Sequence, residues 1–269
     1  MPSLFDAIAA GKPNKPKRAS GTQSLTLHSR KSVSWAPAEQ DTLHSFTLGF
    51  NVRTHYSGGG DLEIAAVAAA VGPKPAPPAN HTACDSFCSS HGYKPDECHC
   101  GVCGSFGGCS FSCTADPAAH RFKCPTAEKD AVVAAHSLSI DSSTGGLSYI
   151  SPAGEVHASR KVNDGAFHSI ALTHYWCNGT TNVWLDGAMV GQVDGERLAP
   201  TRFALAPSDG SVDYQELFIY RSGMNGDEIK FLAAGEQVLQ ASLEIYAPLS
   251  KEDPTANLAQ SMSTVTANL

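Results

Sequence analysis

The chain has 269 residues, a hydrophobic share of 42% and a formal charge of −7, enough for one large all-β domain or two ordinary ones, with ample apolar content for a core. Six basic side chains (Lys12, Lys15, Lys17, Arg18, Arg30 and Lys31) precede residue 32, and the remainder carries 13 basic against 25 acidic groups, a charge of −12. So acidic a body repels nucleic acid phosphates and argues against a nucleic acid partner.

Residues 1–20 read as a flexible basic tail, with Gly11, Pro13 and Pro16 among the charges. The opening lacks the order of a secretion leader: its apolar stretch is short, Asp6 interrupts it and the positive charges follow it. Residues 24–37 alternate Leu25 and Leu27 with polar neighbours and then place Val33 and Trp35, which predicts a pair of half-buried strands. Phe46, Leu48 and Phe50 repeat that period of two over 44–54. Residues 61–71 have no clean period; their neighbours favour a buried strand over a helix. The apolar run inside them, 64–71, is too short and alanine-rich to span a membrane.

Composition then changes. A Pro-rich linker over 72–83 leads into Cys84, Cys88, Cys98, Cys100, Cys103, Cys109, Cys113 and Cys124, an even set of eight within 41 residues. Such density predicts a disulfide framework in an oxidising compartment, and eight cysteines leave 105 pairings open. The rival is zinc, because Cys98, Cys100 and Cys103 lie at short spacing beside His91 and His99. Only one C-x-x-C is present, which favours disulfides. Cys177 is left over, either as a buried thiol or as a bridge to this segment. The sequons at Asn80 and Asn178 predict glycosylation and agree with an extracellular or cell-surface location. Segment 73–126 therefore reads as a cross-linked insertion between strands, too small to build its own core.

Strand patterning returns over 131–159. Leu138 and Ile140, the turn at 141–146, then Leu147 and Tyr149 predict a hairpin. Turn signals recur at Asp164-Gly165, Asn178-Gly179, Asp186-Gly187, Asp194-Gly195 and Asp209-Gly210; short strands at that spacing predict a sandwich. One helix is expected at 225–235, with Asn225 as its cap, Glu228 completing a capping box and Gly235 as its stop. Residues 250–269 are left as a C-terminal tail.

In "VNDGAFHSIALTHYWCNGTTNVWLDG" (162–187), His168, Ile170 and Leu172 share one side of a strand that Val183 and Leu185 can meet. "DGAFHSIALT" and "VWLDGAMVG" resemble the laminin G-like branch of the concanavalin A-like lectin/glucanase superfamily. "YQELFIYRSGMNGDEIKFL" (214–232) is similar to that family's last strand and its short capped helix, and "SFTLGFNVRT" to an early strand. The likeness covers roughly 22–72 and 127–248; the cysteine-rich insertion has no place in it. It implies an all-β jelly-roll sandwich of two antiparallel sheets over 21–72 and 127–249, and a range of uses from binding glycans or proteins to packing beside a catalytic domain such as a sialidase. Calcium between loops is also implied for some members, but no Asp-x-Asp-x-Asp-Gly loop stands here.

Glucan-cleaving relatives carry Glu-x-Asp-x-x-Glu on one strand; Asp61-Leu-Glu63 lacks the third acid and reads as an exposed loop pair. No G-x-S-x-G elbow occurs, and Gly58-Gly-Gly60 lacks the Lys-Ser/Thr needed to cradle phosphate. His168 reads as a hydrogen-bonded core residue. Tyr175 and Trp176, at a strand end beside a turn, are the candidate sugar-stacking pair. Trp184 faces away from Val183 and Leu185 and is expected to be covered by the insertion. The expected function is a non-catalytic extracellular lectin-like module for glycans or glycoproteins. The alternative is a protein-interaction or structural module of a larger adhesion or sialidase-like protein, with the insertion as its contact surface.

Overall fold

The computed structural model describes residues 23–36, 45–72, 98–99, 109–110, 112–113, 121–122, 133–176, 179–236, 238, 242–259 and 261–269. The strands in chain order are β1 (Leu25–His28), β2 (Ser32–Ala36), β3 (Phe46–Arg53), β4 (Leu62–Gly72), β5 (Cys98–His99), β6 (Cys109–Ser110), β7 (Ser112–Cys113), β8 (Arg121–Phe122) and β9 (Val133–Ile140). They continue as β10 (Gly146–Ser151), β11 (Gly154–Lys161), β12 (His168–Tyr175), β13 (Thr180–Leu185), β14 (Ala188–Asp194), β15 (Arg197–Leu205) and β16 (Ser211–Tyr220). Helix α1 (Gly226–Ala233) precedes β17 (Leu243–Ala247) and β18 (Thr264–Asn268).

Two antiparallel sheets of seven strands form a sandwich. The first runs β1-β16-β3-β12-β13-β14, with β17 also on β16; the second runs β11-β10-β9-β4-β15-β2-β18. Period-two residues do what alternation requires: Leu48, Phe50 and Val52 of β3 and Ile170 and Leu172 of β12 point inward from one sheet. Ile64, Val67, Leu138, Ile140 and Phe203 answer from the other. Phe50 is fully buried, with its ring centroid 6.0 Å from those of Phe203 and Tyr214; truncating so large a side chain costs about 3–5 kcal/mol. The expected cross-strand meeting is in register, Ile170 opposite Leu185 and Leu172 opposite Val183.

The 61–71 stretch is strand β4, alanine-rich because it lies between β9 and β15 in the middle of its sheet. Asp186 and Gly187 both take positive φ, 50° and 77°, and join β13 to β14 in a two-residue turn; that geometry suits the twist of a hairpin and the Asp-Gly pair suits the geometry. The Asn225 side chain accepts from the Asp227 and Glu228 backbones, and Glu228 reaches back to the Asn225 N–H, completing the predicted capping box.

Two expectations need correction. The 250–269 segment is not a tail, since its last strand, β18, pairs with β2. Asn257 ties the approach to it: its amide donates to the carbonyls of Glu244 and Ser263 and accepts from the backbones of Tyr246 and Ala259. Trp184 faces outward as expected, yet the cover comes from α1. Its ring packs with Ala171, Phe218, Tyr220, Met224, Ile229 and Leu232 in a second apolar cluster, and Nε1 donates to Thr173 Oγ1 at 2.9 Å.

Of the insertion, the structure describes four short strands, β5 paired with β7 and β6 with β8. The other cysteines of the set, Cys177 and both sequon asparagines lie outside the described residues, and so do the disulfide and zinc expectations. Among the described residues no helix is long and apolar enough to cross a membrane.

Candidate functional site

The paired strands give the sandwich two distinct ends. At one, β3 finishes at Arg53, β12 begins at His168 and β16 begins at Ser211. Three loops from distant parts of the chain meet there. The Gly165 N–H donates to the Thr54 carbonyl, Asn163 Nδ2 donates to the Tyr56 carbonyl and Thr54 Oγ1 donates to the Ser211 carbonyl. Between them lies an open cleft of about 290 Å³ lined by Arg53, Thr54, His55, Tyr56, Gly210, Ser211 and Asp213. Its shape depends on glycine. At Gly165, where φ is +84°, a Cβ would collide with the His55 imidazole; at Gly58 it would collide with the Tyr56 ring.

Arg53 and Asp213 are cross-strand partners on the outer face of β3 and β16. Arg53 Nε and Nη2 both donate to Asp213 Oδ2, at 3.0 and 2.6 Å, and the Thr26 hydroxyl donates to Oδ1 at 2.6 Å. The guanidinium carbon stands 4.4 Å from the Phe167 ring centroid, a cation–π distance. Burial by itself would raise the Asp213 carboxyl; Thr26, Arg53 and the charge of Lys251 outweigh it, and the net shift is downward. Tyr56 Oη donates to Asp209 Oδ2 at 3.4 Å. The neighbouring outer face is polar, with Asn51 opposite both Gln215 and Ser169. Asn51 Nδ2 donates to Glu216, which holds a positive φ of 55° where β16 exchanges β1 for β17 as its neighbour.

His168 is buried beside this cleft, with Nδ1 2.9 Å from Asp186 Oδ2 and Nε2 3.1 Å from Asp164 Oδ1. Both ring nitrogens are committed, so the core hydrogen-bonding role expected of it holds. The Asp164 carboxyl is lowered, first by the Ala166 N–H and then by His168. Asp61 accepts from the backbone and hydroxyl of Ser142 and so braces the 141–145 turn. Asp141 itself, bonded by the hydroxyl of Ser143 and by the N–H and hydroxyl of Thr144, is lowered to about 2.

The opposite end buries its polar groups. The Leu198 N–H donates to His174 Nε2 at 3.1 Å, which fixes the proton on Nδ1 and aims it at Thr181 Oγ1, 2.9 Å away. Across the core, His136 Nδ1 lies 2.7 Å from Tyr149 Oη. His136 Nε2 has no hydrogen-bond partner among the described residues and faces Glu196 Oε2 at 3.8 Å. Burial lowers the His136 pKa to about 4 and raises Glu196.

Sequence reasoning placed its sugar-stacking pair at this second end, and the structure corrects it. Trp176 is 1% exposed, so its ring offers no face to a sugar, and its backbone N–H donates to Ser45 Oγ. Tyr175 is half-buried, and its hydroxyl donates to the Met224 carbonyl at 2.7 Å, anchoring the approach to α1. The cleft residues were missed because they come from separate loops; the only local signals were Asp164-Gly165 and Asp209-Gly210. Among the described residues no group of three or more His, Cys, Asp or Glu could hold a metal ion.

No protein-family model matches this chain, and no curated protein matches it. Solved structures do. A putative carbohydrate binding protein from Bacteroides ovatus aligns with a TM-score of 0.51 at 10% identity, over 92% of this chain and 59% of that one. The fold is that of the concanavalin A-like lectins and glucanases. A SAP-like pentraxin from Limulus polyphemus aligns with a TM-score of 0.46 at 7% identity, over 92% of this chain and 95% of its own. A Trypanosoma rangeli sialidase aligns with a TM-score of 0.40 at 14% identity, over 71% of this chain and 22% of its own. The chain spans 59% of the length of the Bacteroides protein.

Proposed function

We propose that this protein is a non-catalytic module that binds glycans or glycoproteins outside the cell, and that the sugar sits in the Arg53–Tyr56–Asp213 cleft. The observation that carries this reading is the Arg53–Asp213 pair, with its guanidinium carbon 4.4 Å from the Phe167 ring centroid, beside Tyr56 at an open cleft. A sugar ring is recognised by planar donors and acceptors that meet adjacent hydroxyls and by an aromatic that meets its C–H face. Here fixed donors and acceptors adjoin two aromatic rings. The non-catalytic reading is supported by the state of the acid: Asp213 is ion-paired and its carboxyl is lowered, so it is unsuited to protonate a leaving oxygen. The dense cysteines and the two sequons support the location.

The test is binding of the full chain to a glycan array, with soluble sugar as competitor. Binding is expected to weaken about tenfold in Tyr56→Ala, to be lost in Arg53→Ala and to be retained in Met262→Ala, whose side chain is exposed. A second reading, a protein-interaction module with the cysteine-rich insertion as contact surface, rests on where the insertion leaves the sandwich. β4 ends at Gly72 and β9 begins at Val133, at the end away from the cleft. Binding to a glycoprotein that no soluble sugar displaces would favour it.

A further inference from the structure

The acidic body of this molecule gathers cations around its cleft. Arg53 lines it. Lys251, in the turn after β17, lies close enough to Asp213 to favour its charged form, so this one carboxylate faces two cations. The turn between β1 and β2, Ser29-Arg30-Lys31, adjoins the cleft wall, its Ser29 N–H donating to the Gly210 carbonyl at 3.2 Å. Arg30 is exposed and holds a φ of 70°, a left-handed conformation that non-glycine residues rarely adopt. Backbone strain kept in a turn beside a cleft is a mark of functional positions. Against Arg30, Lys31, Arg53 and Lys251 stand Asp213 and Asp209, in a body whose residues from 32 onward sum to −12. Asp213 does not cancel Arg53's hydrogen bonding. Nε and Nη2 are spent on Oδ2, while Nη1 has no partner among the described residues, on a side chain 40% exposed.

Resting on the glycan-binding reading above, we propose that the cleft selects acidic sugars, those carrying a carboxylate or a sulfate ester, over their uncharged counterparts. Arg53 meets the anionic group through Nη1, with its plane fixed by Asp213 and Phe167. Arg30, Lys31 and Lys251 supply the surrounding field, which draws an anion toward this end of an otherwise repelling surface. Tyr56 meets the ring. A guanidinium fixed in this way offers directed donors rather than a mobile point charge, which suits planar carboxylate and sulfate oxygens.

The experiment uses the full chain on arrays of matched oligosaccharides, each core in plain, carboxylated (sialylated or uronic acid) and sulfated form, with polyglutamate as a polyanion without sugar. The acidic members are expected to bind about tenfold more tightly than the plain cores at low salt, with the gap closing as ionic strength rises. Lys251→Ala and Arg30→Ala, both exposed, are expected to narrow the gap severalfold without abolishing binding. Comparing carboxylated with sulfated members names the anion. Plain cores bound as tightly as acidic ones, or a gap indifferent to both variants, overturns the acidic selection and leaves the glycan reading standing. Polyglutamate bound as tightly as the acidic glycans also overturns it, because charge alone would then suffice. No binding of any glycan overturns both.

Discussion

The two ends of the sandwich use polar side chains in opposite ways. At the cleft, Arg53, Asp213 and Tyr56 stay partly in water, tethered by neighbours but with donors to spare. At the other end His136, Tyr149, His174 and Thr181 are buried; His136 pairs with Tyr149 inside one sheet and His174 with Thr181 inside the other, and the Leu198 N–H on His174 Nε2 joins the two sheets. A buried polar group is stabilising only while it is paired. An exposed one costs little when unpaired and is free for a ligand. The first end should therefore tolerate substitution but lose binding, and the second should lose stability but keep binding.

The sharpest way to break that contrast is acid. Burial holds His136 down to about 4, so it stays neutral in the fold. The unfolded chain takes up this proton from about pH 6.5 downward while the folded chain does not. The contribution of neutral His136 is thus fully present above that pH and is lost as pH falls toward 4, by roughly 3 kcal/mol. Glu196, raised by burial, works the other way as it protonates. Asp141, held at about 2, loses its part only below about pH 4. Urea unfolding at several pH values should show the fall, and His136→Gln should flatten it; equal slopes in the two proteins would remove His136 from the account. Tyr149→Phe comes next, leaving His136 Nδ1 without its partner at about 2 kcal/mol. Thermal melting should register that loss while glycan binding stays unchanged. At the cleft, Tyr56→Ala should weaken sugar binding about tenfold, roughly 1.4 kcal/mol, by titration at a pH where both proteins are folded. The smallest effect is expected of Asn225→Ala, which removes the helix cap at about 1 kcal/mol. It should lower the melting temperature and leave both the pH slope and sugar affinity untouched, since α1 covers the outer face and reaches neither polar cluster.

What could be read from the chain alone follows the range of the interactions. β3, β12 and β13 were legible because each sends alternate residues into the core, Leu48 and Phe50, Ile170 and Leu172, and Val183 and Leu185. The cap at Asn225 and the turn at Asp186-Gly187 were legible because their partners lie within a few residues. Trp184 was read as outward-facing, but its cover could not be assigned, since α1 lies over forty residues further on. β18 was missed because "STVTANL" becomes a strand only beside β2, with Asn257 holding its approach. Trp176 misled for a related reason: a surface aromatic and a buried one look alike beside a turn, and Ser45, which takes its N–H, is remote in sequence. The cleft depends on contacts from Thr54 to Gly165 and Ser211, separations at which no local pattern survives.

In the ladder between β4 and β9, Ala70 stands opposite Val133. The chain therefore leaves this ladder after Gly72 and rejoins it at Val133 at adjacent points, as the ends of an ordinary hairpin do. A tight two-residue link could stand in place of 73–132 without altering any strand partner in the sandwich. The same junction could carry a foreign peptide or a reporter dye, grafted far from the cleft and firmly mounted on the middle of a sheet.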